Sequence, residues 1–146
     1  MRAFLYDTLI TSPDLRTHFG GVEGIKTRVI PRQAKDIILP EEKKPFLVMG
    51  MGNATSFQLS DSTANDAYAE RQFFQIWVHD KGQSYLDIDE IYIPAVKARL
   101  IGASHVPSRV ITIEYLETSQ EFSNETYNTI FRYIRFQAIR GKVLAP

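Results

Sequence analysis

Three histidines, His18, His79 and His105, are the side chains of this 146-residue chain best suited to move a proton or hold a transition metal near neutral pH. Metal binding asks for partners at spacings such as HxxxH or HxH, which one helix or strand face brings together. Each histidine here stands alone, near a helix end, at a strand end and in a loop. Asp87, Asp89 and Glu90 could in principle hold a hard cation. No glycine-bearing calcium loop accompanies them, and their place in the first turn of a helix already accounts for them through the helix dipole. The serines and threonines form no GxSxG elbow, and neither GxxxxGK[ST] nor GxGxxG occurs. Gly20-Gly21 and Gly50-Met51-Gly52 read more simply as a helix stop and a strand end than as phosphate cradles. With no cysteine, thiolate nucleophiles, disulfides and Cys-based zinc or iron–sulfur sites drop out, and a reducing cytoplasm is the expected setting. No catalytic, cofactor-binding or metal-ligating residue is expected, and the chain is not expected to be an enzyme.

A second chemistry is base stacking. Trp77 with Phe73, and Phe131 with Tyr133, could form a platform for nucleic acid. Aromatics on alternating strands are more often core or cross-strand pairs, and only Arg132, Arg135 and Arg140 lie near them in sequence. The 17 basic and 17 acidic residues cancel, so no global field draws the chain to DNA or to an anionic membrane. No apolar run approaches the ~18 residues of a membrane helix, and the N-terminal run is broken too early by Asp7 for a signal peptide. Hydrophobic residues at 44% and charged residues at 23% describe a folded globular protein.

The elements that must position these residues follow from periodicity and punctuation. Ala3 to Ile10 predicts a short helix. Ser12-Pro13-Asp14 supplies an N-cap and a proline at the first helical position, so a second helix runs through Leu15 to Phe19 and stops at Gly20-Gly21. Ile25 to Ile30 alternates and predicts a short strand. Pro31 to Pro45, with Glu41-Glu42-Lys43-Lys44, reads as an exposed excursion, and Phe46 to Met49 as a buried strand ending at Gly50 and Gly52. Asn53 to Tyr68 is polar and longer than ordinary loops, which suits an arm ordered by a partner. Arg71 to Asp80 alternates, with Phe74, Ile76 and Val78 on one face and Phe73, Gln75, Trp77 and His79 on the other. Lys81-Gly82-Gln83 turns the chain into a helix from Ser84 to Ile101. Its apolar stripe is Tyr85, Ile88, Ile91, Tyr92, Ala95, Val96 and Leu100, with Pro94 on the polar side and Gly102 closing it. Val110 to Thr118 and Thr129 to Ile139 are strands joined by a polar segment, Ser119 to Glu125. Lys142 to Pro146 is a short flexible tail. The sum is one α+β domain over residues 1–146: a mainly antiparallel sheet of about four to five strands, with an amphipathic helix and short N-terminal helices packed on it.

In order, Met1-Arg2-Ala3-Phe4-Leu5-Tyr6-Asp7, Gly20-Gly21 before a short strand, Pro45-Phe46-Leu47-Val48, Phe73-Phe74-Gln75-Ile76-Trp77-Val78, the amphipathic helix and Tyr133-Ile134-Arg135-Phe136 resemble the tail-terminator, or tail-completion, family of long-tailed bacteriophages. The resemblance spans nearly the whole chain and rests on element order and loose local patterns. It implies a structural virion protein whose copies form a ring, commonly hexameric. That ring caps the head-proximal end of the tail tube, stops its growth and joins tail to head. It also implies the tail tube protein and head-tail connector proteins as partners, DNA only passing through the lumen, no membrane, and a place in the tail-neck region of a virion assembled in the bacterial cytoplasm. The extended 53–68 segment and Pro94 depart from the plainest members.

Within the arm, Ser56, Phe57, Gln58, Leu59 and Ser60 are the candidate contact residues between subunits or with the tube. Phe57 and Leu59 are two apolar side chains in a polar segment and need something to bury them. Other readings are another neck or connector protein of the same machinery, a small enzyme with a pocket between helix and sheet, and a nucleic-acid adaptor.

Overall fold

The computed structural model describes residues 1–31, 44–58, 68–82, 84–125 and 128–141, with backbone alone at 56–58 and 68. Leu59 and Ser60, the tail from Lys142, and most of the expected 31–45 excursion lie outside the described residues.

Three helices open the chain where two were expected. Helix α1, Arg2–Ile10, buries Leu5 and Leu9, one turn apart on the same side. Helix α2, Pro13–His18, starts as the sequence requires: Ser12 Oγ accepts from the Leu15 N–H at 3.3 Å, and Pro13 occupies the first helical position. Gly20 and Gly21 take φ values of 92° and 78°, which break the helix and restart it as α3, Gly21–Arg28. The strand expected at Ile25 to Ile30 is therefore mostly helix, and β1 is only Val29–Ile30. Ile25 and Val29, both buried, are four residues apart. The alternation at this site hid a helical spacing.

Strand β2 runs Phe46–Gln58 and β3 runs Tyr68–Asp80. The expected stop at Gly50 to Gly52 is a bulge, because the ladder with β3 resumes at Ala54↔Gln72 after a register shift and continues to Gln58↔Tyr68. The polar 53–58 stretch is thus strand, held by backbone pairing that its side chains do not announce.

The helix expected from Ser84 to Ile101 contains a π-helical turn, Ile88–Tyr92, before α4, Ile93–Leu100. Pro94 is the physical cause: its ring clashes with the carbonyl four residues back and it lacks an N–H, and a wider turn ahead of it relieves both. The apolar stripe survives, with Ile88, Tyr92, Val96 and Leu100 buried and Pro94 exposed. Gly102, at φ 80°, closes the helix and donates its N–H to Ile113 O at 2.9 Å.

Strands β4, Val110–Thr118, and β6, Thr129–Gly141, pair antiparallel, and the polar connection between them contributes a short strand β5, Phe122–Asn124, also on β6. The six-stranded sheet has the order β1-β2-β3-β6-β4, antiparallel except for β1 with β2. The helices cover one face. Phe74, Ile76 and Val78 of β3 meet Leu5, Leu9, Phe19 and Val96 there in one buried cluster with Ile134 and Phe136 of β6. Each such side chain contributes roughly 1.5–3 kcal/mol on leaving water.

The other face is closed by aromatics stacking on one another. Phe46, His79, Phe131 and Phe122 succeed each other with ring centroids 4.5, 4.8 and 5.1 Å apart, and Trp77 meets Tyr133 edge-on at 6.2 Å. The suggested stacking platform is thus an intramolecular layer.

Candidate interaction site

The three histidines are not brought together. His18 lies against Tyr92 near the end of α2, with ring centroids 5.9 Å apart. His105 stacks on Phe4 at 4.5 Å. His79 sits between Phe46 and Phe131 with Nδ1 2.8 Å from Thr129 Oγ1, and burial holds its pKa down at about 3. It is therefore neutral across the physiological range. Beside it, burial pushes the Asp80 carboxyl up, and burial with the Asp80 and Asp87 carboxylates raises Tyr92 to about 12. Asp89 is engaged by Arg132 at 2.6 Å. Among the described residues, no group of three or more His, Asp or Glu is placed to hold a metal ion.

The candidate contact residues divide. Ser56, Phe57 and Gln58 end β2, opposite Glu70, Ala69 and Tyr68 of β3, while Leu59 and Ser60 fall outside the described residues. What looks in sequence like a loose arm is, up to Gln58, the end of strand β2 paired with β3, which β6 accompanies on its other side as far as Ala69↔Gly141. Gln72 stiffens its root: Nε2 donates to Gly52 O at 2.8 Å and to Phe73 O at 3.0 Å, across the bulge. Asn53, Ala54 and Thr55 are exposed there.

A shallow depression of about 320 Å³ lies beside this root on the sheet face away from the helices, lined by Gly50, Gly52, Asn53, Gln75, Trp77 and Arg135. Its shape depends on Gly50. A Cβ at that position would lie 2.3 Å from Trp77 Cζ3 and 2.6 Å from Cη2, so the indole can lie flat only over a glycine. Gly50→Val should therefore expel the ring, uncouple Trp77 from Tyr133 and cost about 1–3 kcal/mol. A red shift in the fluorescence of this only tryptophan, together with a lower urea midpoint, would show it, and an unchanged spectrum would refute the packing. Arg135 brings little free charge to the depression, since it pairs with Glu117 at 2.9 Å.

The sheet edges are the remaining open elements. Beyond Val48, no described strand covers the outer side of β2. On the outer side of β4, Gly102 reaches Ile113 and His105 pairs with Val110, while Glu114 to Thr118 receive no backbone partner among the described residues. Tyr115 and Leu116 are exposed on that stretch. Leu116 falls within an irregularity of the register, a device that limits indiscriminate pairing of an edge. Sequence alternation alone did not single out this edge, because which strand ends a sheet is a property of topology.

Among the described residues, no helix is long and apolar enough to cross a membrane. No family model matches the sequence, and a search of curated proteins finds no match. Among solved structures, the fold is similar to a chain in the virion of a native gene transfer agent particle, with a TM-score of 0.64 at 17% identity. The likeness covers 97% of this chain and 95% of that one, so the two share a fold from end to end.

Proposed function

We propose that this chain is a structural virion protein whose copies close into a ring, hexameric as in the family it resembles. The ring caps the head-proximal end of a phage tail tube, stops its growth and joins tail to head. The observation that carries the reading is the end-to-end likeness to a virion chain, which leaves almost nothing of either chain unmatched. The order of elements in the sequence points the same way. The partners on this reading are other copies of the chain, the tail tube protein and head-tail connector proteins, with DNA passing through the lumen. The site of action is the tail-neck region of a virion assembled in the bacterial cytoplasm. No reaction and no cofactor enter: the work is shape complementarity and the ordering of segments on contact.

Ring closure needs two different patches on one subunit. The open side of β2 and the Glu114 to Thr118 edge of β4 stand at opposite edges of the sheet and meet that need. The end of the β2–β3 ladder, with Ser56 to Ser60, is the contact with a neighbour or the tube. Native mass spectrometry over a concentration series, followed by binding to tail tubes, tests the reading. A closed oligomer, or a monomer that becomes a ring on tubes, supports it; a monomer that ignores tubes at every concentration overturns it. Phe57→Asp with Leu59→Asp should lower tube binding at least tenfold while the circular dichroism of the chain is unchanged. Undiminished binding would remove these residues from the contact.

A further inference from the structure

The open stretches at the two edges of the sheet stand at the same height. Row by row, Thr118 of β4 is joined through Ile134 and Ile76 to Met49 of β2, Glu117 through Arg135 and Gln75 to Gly50, and Tyr115 through Phe136 and Phe74 to Met51. On the outer side of β2, β1 stops at Val48, one row short of this set. On the outer side of β4, the described contacts stop at Ile113, whose carbonyl accepts from the Gly102 N–H at 2.9 Å, one row past it. Among the described residues, these three consecutive rows are open at both ends, and the rows on either side of them are covered at one edge or the other.

An edge row serves a partner strand only where its N–H and C=O face outward. The Ile113 carbonyl does so, and backbone groups of an antiparallel strand turn to alternate sides residue by residue, so those of Tyr115, two residues on, also face outward. Along the row the directions then alternate: Phe136 turns toward β3, Phe74 toward β6, and Met51 outward again. Because four strands make up the row, both of its ends present free backbone groups. Its side chains share the helix face. Phe74 and Phe136 lie in the core and Met51 packs half-buried against it. Tyr115, 37% exposed, meets Phe136 edge-on at 6.3 Å, with the Lys97 ammonium 3.9 Å from its ring centre. The apolar row therefore runs out at each edge on a side chain that its own subunit covers only in part.

We infer that a second copy of this chain occupies the β4 edge, its β2 lying antiparallel to β4 with Met51 of the second copy opposite Tyr115 of the first. The sheet then continues from subunit to subunit, the pairing being main-chain hydrogen bonds and the two apolar row ends closing on one another. Strand direction selects this occupant. Three antiparallel steps separate β2 from β4, so a copy presented in the same sense, as rotation about a ring axis presents it, sets β2 antiparallel to β4 and keeps the alternation unbroken. A strand of some other protein would satisfy one edge and leave the other open; a second copy satisfies both with one contact repeated around the ring. The inference rests on the ring reading and adds to it the pairing, the direction and the register of the subunit contact.

The chain has no cysteine, so an introduced pair tests the register directly. Within one copy, positions 51 and 115 are three strand spacings apart, roughly 14 Å, beyond the reach of a disulfide, so any bond between them joins two copies. Met51→Cys with Tyr115→Cys in the full chain, oxidised under the conditions in which the chain assembles, is expected to give a ladder of covalent oligomers on a non-reducing gel and a peptide pair joining the two positions. Either substitution alone should give at least tenfold less covalent dimer, and so should Met51→Cys with Thr118→Cys, two rows out of register. A single variant that dimerises as well as the double one would mean that like edges meet and would overturn the inference, as would equal linking in the out-of-register pair. Native mass spectrometry of the parent separates the remaining failures: oligomers without a 51–115 link overturn the inference and spare the ring, whereas no oligomer at any concentration or on tail tubes removes both. Both side chains are part-exposed, and a thermal scan of each variant checks that the fold is kept.

Discussion

Phe136→Ala is expected to cost about 3–5 kcal/mol, roughly a fifth or more of the stability of an ordinary domain. Phe136 is fully buried in β6, opposite Phe74 of β3 on one side and Tyr115 of β4 on the other. Its ring stacks on Phe74 with centroids 5.2 Å apart and meets Tyr115 edge-on at 6.3 Å. Truncation therefore removes one large side chain and two aromatic contacts, and opens a cavity where the sheet meets the helices. The surrounding layer cannot collapse into it, because ladder hydrogen bonds fix the spacing of β3, β6 and β4. At roughly 2–4 °C per kcal/mol for a chain of this size, the melting temperature should fall by roughly 6–20 °C. Gln137→Ala, one residue on and facing the other way, is the control. Gln137 is half-buried and bonds Glu114 at 2.5 Å, and its loss should cost under about 1 kcal/mol. Equal losses for the two variants would mean that the core does not lie on the helix side of the sheet.

The same alternation is what made this part of the fold legible. Phe73 to Val78 reads as a strand with two distinct faces, and the structure puts Phe74, Ile76 and Val78 in the core as the period of two requires. The α4 stripe is equally legible, since three side chains at helical spacing, Tyr92, Val96 and Leu100, all point one way. Legibility fails where backbone pairing or a single residue overrides local pattern. Asn53 to Gln58 has the composition of a loop and becomes strand because β3 supplies a partner for its backbone. Ile25 to Ile30 alternates like a strand, but the left-handed glycines before it launch a helix that buries Ile25. Pro94 is visible as a proline, and the π-helical turn that accommodates it is not.

The site was less legible than the fold for the same reason. Phe57 and Leu59 stand out in sequence as apolar residues among polar ones. Tyr115 and Leu116 do not, because exposure at a free edge is decided by which strands end up outermost.

His79 should make the fold acid-sensitive in a way that one substitution removes. Its folded pKa is about 3 against 6.5 in the unfolded chain, and burial is the main cause, with the nearby Lys44 ammonium adding to it. A pKa lowered by folding means that the unfolded state takes up the proton first. The stability tied to neutral His79 is complete above about pH 6.5 and is lost as pH falls from there toward 3. By pH 4.5 the loss should reach about 2–3 kcal/mol. Asp80 acts in the opposite sense, since burial raises its pKa and protonation relieves that cost, so the raw acid limb of the protein blends both groups. His79→Phe isolates the histidine. The ring remains between Phe46 and Phe131, Thr129 loses its 2.8 Å partner at a cost of about 1–3 kcal/mol near neutrality, and the proton-linked term disappears. The variant should be the less stable form at pH 7 and draw level with or overtake the parent by pH 4.5 in urea titrations. Parallel stability curves across that range would show that His79 titrates normally and that the stack around it opens to water.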